Sequence, residues 1–320
     1  MTRVAAIDCG TNSIRLLIAD ASPDQGGGVD LDDVVRLMKV VRLGQGVDRT
    51  GEFDAEALER TLAATDDYAR LCREHQVTAI RFVATSATRD ARNRDVFIDG
   101  VRQRLGVEPE VISGTEEASL SFAGAVRILG SGDAAPALVV DIGGGSTELV
   151  LGDPQVGSPS ASFSMDVGCV RMTERHLHDD PATPEQIAAA RADIDAALDR
   201  VEQTVPLERA GTLVGVAGSV TTVTAHALGL PGYSPERIDG VRLPVPQALA
   251  ACQELLTATR AARARLPFMH PGRVDVIGAG ALVWSQVIAR VVDRAGIDAV
   301  TTSEHDILDG IALSAYASVR

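Results

Sequence analysis

An α/β fold made of two similar halves is what this 320-residue chain predicts, on three observations. A skeleton of Asp, any residue, Gly, two small residues and Ser, leading into an apolar run, occurs twice: "DCGTNSIRLL" from Asp8 and "DIGGGSTELV" from Asp141. Asp8 answers to Asp141, Gly10 to Gly143, Ser13 to Ser146 and Leu16 to Leu149, at one offset of 133 residues (141 − 8). Strand-like and helix-like stretches alternate between and after the copies, which argues an α/β class. Two later segments, "TLVGVAGSVTTVTAHAL" and "VDVIGAGALVWSQVI", each read as strand, Gly turn and helix.

In chain order, "VAAIDCGTNSIRLLIAD" reads as strand, tight turn and strand, with aliphatic flanks around Gly10 to Ser13. A helix is expected from about Asp54 to His75, then a strand in "VTAIRFVATSATRD" running into a Ser/Thr loop, then a helix over Asn93 to Leu105. "VISGTEEASLSFAGAVRIL" gives a strand, a turn at Ser113-Gly114 and a helix capped near Thr115. "LGSGDAAPA", Leu129 to Ala137, is the expected domain boundary. "LVVDIGGGSTELVLGD" repeats the opening hairpin, and Pro184 to Thr204 is an amphipathic helix. The chain closes in a helix from about His305 to Ala317. The expected domains are 1–128 and 129–304, with the helix at about 305–320 packing back on the first.

A hydrophobic content of 45% supplies a sizeable core, and a net charge of −14 argues against nucleic acid or a membrane surface as partner. Lys39 is the one lysine among thirty basic residues; the remaining arginines suit bidentate contacts to phosphate. Cys9, Cys72, Cys169 and Cys252 are scattered, so neither a zinc site nor a disulfide framework is expected. His176 and His178, two residues apart, do not share a helix face, which argues against a metal there. The N-terminus enters an apolar run without a basic leader, and no segment offers 18 continuous apolar residues, so a soluble, cytoplasmic protein is expected.

A Gly/Ser turn points successive backbone N–H groups into one concavity that binds anions, and a carboxylate just before it suits a hydrated Mg²⁺ on phosphate oxygens. Two such turns would grip one phosphoryl chain from both sides. The skeleton resembles the two phosphate motifs of the actin, hexokinase and Hsp70 superfamily, which implies duplicated ribonuclease H-like domains facing a central cleft. That superfamily holds kinases, ATPases and phosphatases, so the intervening residues must decide.

"RLGQGVDRTG" from Arg42, "FVATSATRDARN" from Phe82, "VISGTEEA" from Val111 and "VVDIGGGSTEL" from Val139 occur in this order. With "GVAGSVTTVTAH" from Gly215 and "RVDVIGAGAL" from Arg273, the set resembles the exopolyphosphatase / guanosine pentaphosphate phosphohydrolase family over nearly the whole chain. The resemblance implies Glu117 as the catalytic base, Asp141 tied to the metal or the attacking water, and Glu148 closing that motif. It implies a phosphate loop of Gly143, Gly144, Gly145 and Ser146. Asn12 and Ser13 would face phosphate, Arg89 would bind the phosphate chain, and Asp8, Asp141 and Glu148 would hold Mg²⁺ or Mn²⁺. Glu116 keeps the simpler role of complementing a helix N-terminus, a role open to Glu117 on the residues alone.

The implied reaction is metal-dependent release of terminal orthophosphate from inorganic polyphosphate, with guanosine pentaphosphate as the alternative substrate and (p)ppGpp as a further ligand in the stringent response. A homodimer is also implied. A kinase and a non-catalytic (p)ppGpp-binding regulator are the remaining rivals; "SGTEEA" opposes the first, and an intact Glu117, Asp141 and Glu148 set the second. The chain is similar to the short two-domain members, so short chains cut from an end are expected. Between Arg81 and Arg104 six Arg stand against three Asp, a basic run readable either as facing a polyanion or as a solvated helix face. The closing "SEHDILDGIAL" departs from the pattern of longer relatives, and a structural role is expected for it.

Overall fold

The computed structural model describes residues 1–24, 28–130, 132–133 and 135–319. The expected linker at Leu129 to Ala137 therefore includes two residues, Ser131 and Ala134, outside the described set. The chain divides into two compact units, Met1–Gly124 with Ile307–Arg320, and Ala125–Asp306.

The first unit holds strands β1 (Thr2–Cys9), β2 (Ser13–Pro23), β3 (Val29–Val40), β4 (Ala79–Ala84) and β5 (Glu110–Val111), in sheet order β3-β2-β1-β4-β5. The second holds β6 (Ala137–Ile142), β7 (Thr147–Asp153), β8 (Ser158–Met165), β9 (Thr212–Val216), β10 (Arg242–Pro244) and β11 (Ala299–Thr302), in order β10-β11-β9-β6-β7-β8. Read from β8, that is the first unit's order with β10 added at the edge. In each, a three-strand antiparallel meander is followed by a strand parallel to its first, β4 on β1 and β9 on β6. The duplicated α/β architecture follows from this topology.

Period-2 alternation decides which side chains reach which face. In β1, Ala5, Ile7 and Cys9 join the core beneath the helices Ala55–Glu74 and Arg94–Leu105, through Ala64, Tyr68, Cys72, Phe97 and Val101. Val4 and Ala6 point the other way, to Leu120 of the helix Gly114–Ala125 and to Ile307, Ile311 and Tyr316 of the helix Ile307–Ala317. Asp8 shares parity with Val4 and Ala6, so it falls on the second face at the strand tip. Asp54 starts the first of these helices by accepting from the N–H groups of Glu56 and Ala57, both at 3.1 Å.

The final helix packs on the first unit's sheet through Ile307, Ile311 and Tyr316. Its Asp309, almost fully buried, accepts from Arg36 Nη2 of β3 at 2.7 Å. A Cβ at Gly310 would lie 2.0 Å from the backbone oxygen of Leu120. Alanine is the better helix former by about 1 kcal/mol, so Gly310→Ala would stabilise an open helix. Against that backbone contact we expect the reverse, a loss of about 1–3 kcal/mol by overpacking, measured by urea denaturation.

One expected strand is absent. Residues 274–276 of "VDVIGAGALVW" form a turn, and the segment enters the helix Ile277–Ala295 directly. A short apolar run fits a buried helix as well as a strand, and this helix is buried continuously from Ile277 to Trp284. Among the described residues, no helix is long and apolar enough to cross a membrane.

Candidate active site

Each unit carries a set of polar groups at its hairpin turn. In the first, Gly10 N–H donates to Ser13 O at 3.0 Å and closes the turn. The chain leaving β3 holds the turn by its carbonyls: Gly44 N–H donates to Thr11 O at 2.8 Å, and the N–H groups of Val41 and Arg42 donate to Asn12 O at 3.0 and 2.9 Å. In a planar trans peptide the N–H of the next residue points opposite to the carbonyl. The N–H groups of Asn12 and Ser13 are therefore aimed away from this contact. A Cβ at Gly44 would meet Thr11 Cγ2 at 2.3 Å, so glycine is required for the close approach.

Asp8 and Arg15 stand directly opposite in the β1–β2 register. Asp8 Oδ2 accepts from Arg15 Nε at 2.9 Å and Nη2 at 2.7 Å. On the same face, Glu117 lies in the first turn of the helix Gly114–Ala125. Ser113 caps that helix by accepting from Glu116 N–H at 3.2 Å, so the cap sits two residues before Thr115. Glu116 is taken by Arg81 at 2.6 Å. Glu117 is 8% exposed, and its Oε2 accepts from Arg89 Nη1 at 2.6 Å; the same nitrogen donates to Ile112 O at 3.0 Å. Burial pushes the Glu117 carboxyl up. The Arg89 charge and hydrogen bond pull it back, Asp8 pushes it up again and the Thr85 hydroxyl pulls it down; the net result is above the ordinary carboxylate range.

In the second unit Gly143 N–H donates to Ser146 O at 3.0 Å, the same closure as at Gly10. The helix Cys169–Arg175 lies behind the turn. Cys169 N–H donates to Gly143 O at 3.0 Å, Val170 and Arg171 N–H to Gly144 O at 2.9 and 3.1 Å, and Arg171 Nε to Gly145 O at 2.7 Å. Three successive carbonyls point at this helix, so the N–H groups of Gly144, Gly145 and Ser146 point away from it, as an anion-binding nest requires.

Asp141 and Glu148 stand directly opposite in the β6–β7 register, at 6% and 1% exposure, and Ser164 Oγ donates to Glu148 Oε1 at 2.6 Å. Like charges directly opposite on a strand pair repel, and a pair of hard carboxylate oxygens is a donor set that suits a hard divalent cation. These two residues fit such an ion. Asp8, with its oxygen on Arg15, belongs to the first unit. Among the described residues no group of three or more His, Cys, Asp or Glu side chains is gathered as a metal site.

Four residues here escaped sequence reasoning. Arg15 had a signal: it stands 133 residues before Glu148, so the repeat itself puts a cation opposite Asp8 and a second carboxylate opposite Asp141. Thr85, Ser164 and Arg171 had none, because their partners lie on other elements of the fold. The basic run is largely consumed internally: Arg81 pairs with Glu110 and Glu116, Arg89 with Glu117, Arg92 with Glu52, Arg102 with Asp99 and Glu108, and Arg104 with Asp66. The solvated-face reading accounts for most of it.

Comparison with known proteins gives one consistent result. The profile of the Ppx/GppA phosphatase family matches residues 20–315. Exopolyphosphatase 2 of Mycobacterium tuberculosis is 53% identical over 319 residues, 98% of each chain. A guanosine-5'-triphosphate,3'-diphosphate pyrophosphatase of Photobacterium profundum is 34% identical over 219 residues, 68% of this chain and 42% of that one. A crystal structure of an exopolyphosphatase-like protein superposes with a TM-score of 0.94 at 48% identity, covering 100% of this chain and 99% of the other.

Proposed function

The chain belongs to the Ppx/GppA phosphatase family, and from that premise we propose that it releases terminal orthophosphate from short chains of inorganic polyphosphate. The observation that carries this reading is the row of three N–H groups from Gly144 to Ser146, turned outward by the carbonyls tied behind them. Such a row holds phosphoryl oxygens without a side-chain charge. Gly143 supplies the first of the tied carbonyls, and Asn12 and Ser13 would offer the N–H groups of the other turn.

Phosphoryl transfer needs positioning and charge stabilisation more than covalent chemistry. Glu117 takes the proton of the attacking water as its oxygen bonds to the terminal phosphorus; the anhydride P–O bond breaks, and the shortened chain leaves with the electron pair. A carboxyl held above its ordinary range is the better proton acceptor near neutral pH. Arg89 orients that carboxylate by its ion pair. A divalent cation, Mg²⁺ or Mn²⁺, fits Asp141 and Glu148 and would neutralise charge on the phosphate oxygens.

Arg89→Gln removes both Arg89 contributions, each of which lowers the Glu117 carboxyl. The Glu117 pKa then rises. The base is active when deprotonated, so the acidic limb of kcat/KM should move to higher pH. A pH–rate series on tripolyphosphate checks this, and an unmoved or lowered limb would remove Arg89 from that role.

Guanosine pentaphosphate is the second reading, favoured by the pyrophosphatase relative. Phosphate release measured side by side on polyphosphates of defined length and on guanosine pentaphosphate separates the two. Turnover on tripolyphosphate well above that on the nucleotide supports the first reading, and the reverse supports the second. Long polyphosphate should shorten gradually with free phosphate appearing from the start; direct fall to mid-length fragments would exclude attack at the end. A cytoplasmic homodimer belongs to the same proposal, and sedimentation equilibrium tests its stoichiometry.

A further inference from the structure

Arg171 is a buried arginine on the helix behind the turn, with its Nε donating to Gly145 O at 2.7 Å and its backbone N–H to Gly144 O at 3.1 Å. We propose that Arg171 is a positioning residue that locks the peptides of the Gly143–Ser146 turn, so that their N–H groups face phosphate; this rests on the phosphate-loop reading above.

The physical need is specific. Glycine peptides have little steric barrier to rotation, and Gly143, Gly144 and Gly145 are consecutive. A flipped peptide would turn a carbonyl dipole toward the bound anion and convert attraction into repulsion. Backbone donors from Cys169, Val170 and Arg171 hold the first two carbonyls. The third, on Gly145, is held by the arginine side chain. In the first unit the equivalent carbonyl, on Asn12, is held by backbone N–H groups of Val41 and Arg42. Arg171 thus does with a charged donor what the backbone does in the other copy, and a hydrogen bond from a charged donor is about twice as strong as a neutral one.

Gly168 belongs to the same device. A Cβ there would lie 2.4 Å from Gly144 O and 2.7 Å from Gly145 N, so only glycine lets this helix start against the turn. Gly168→Ala should displace the turn without changing any charge.

The test uses inorganic phosphate as probe and the backbone amide resonances of Gly144, Gly145 and Ser146 as readout, in the full chain. In the unsubstituted protein these resonances should shift with added phosphate. In Arg171→Met the same shifts should need roughly tenfold more phosphate or more, and KM for tripolyphosphate should rise with them. Arg171→Lys, which keeps a charged donor, should recover part of the loss. Gly168→Ala should reproduce the Arg171→Met effect, which covers the case in which the methionine variant does not fold. Leu198→Ala, a buried change in the same unit's core, serves as the control for loss of stability alone. It should lower the melting temperature and leave phosphate affinity unchanged.

Amides that ignore phosphate in the unsubstituted protein, or folded Arg171→Met and Gly168→Ala variants with unchanged affinity, would overturn the proposal. So would Leu198→Ala weakening phosphate as much as Arg171→Met does. Amides that respond to phosphate in a protein that hydrolyses neither polyphosphate nor guanosine pentaphosphate would instead sink the functional reading and leave Arg171 in place.

Discussion

Glu117→Gln should lower kcat on tripolyphosphate by about 10²-fold or more, with KM changed far less. Glutamine has the shape of the carboxylate and can still accept from Thr85 and Arg89, but it cannot take a proton from water. The environment makes the prediction sharp. Glu117 sits almost out of solvent on the face shared with Asp8, where burial raises its carboxyl and Arg89 limits the rise. A carboxylate that merely complemented a helix N-terminus would be exposed, as Glu116 is, and its amide would cost little. The change in stability follows the opposite sign to the usual acid. Because the folded pKa is raised above the unfolded one, Glu117 favours the folded state most at low pH, and that contribution is lost as pH rises through the unfolded value toward the folded one. Glu117→Gln removes this dependence. Stopped-assay phosphate release and a urea series at two pH values give both readouts. Near-normal turnover would place the base elsewhere.

Neutralising either member of the facing pair, by Asp141→Asn or Glu148→Gln, should raise the concentration of Mg²⁺ or Mn²⁺ needed for half-maximal activity by about tenfold or more and lower kcat by about 10²-fold. The reason is register. Two buried carboxylates held opposite each other gain from a shared cation, and one alone gains much less. Mn²⁺ binding followed by electron paramagnetic resonance gives an equilibrium readout independent of turnover. Asp8→Asn is the informative comparison. Asp8 Oδ2 already receives two donors from Arg15, so its loss should disturb Arg15 and the first turn while changing Mn²⁺ affinity less than either member of the pair. Full activity after exhaustive chelation, or equal effects at Asp8 and Glu148, would contradict this division of labour.

The repeated hairpins, the helix starts at Asp54 and Pro184 and the C-terminal helix were legible because each is written locally, in turn residues and apolar periodicity. The third strands of both meanders, β3 and β8, were not. They are edge strands, and their burial follows no clean alternation, so their sequences lack the signal that β1 and β6 carry. The strand expected in "VDVIGAG" failed for the converse reason: a short apolar run gives no period to choose by.

The sequence by itself determined a duplicated α/β chain carrying the motif set that resembles this family, because glycine turns, flanking acids and their spacing are properties of adjacent residues. Tertiary structure decided which partner each acid and each carbonyl meets. Register put Arg15 against Asp8 and Glu148 against Asp141, so equivalent positions in the two copies acquired opposite electrostatics. Packing brought Arg89 to Glu117 across 28 residues and Arg171 to Gly145 across 26. Those contacts are made by burial, which removes water as the competing partner and lets one ion pair or one captured carbonyl set the behaviour of a group whose sequence neighbours say nothing about it.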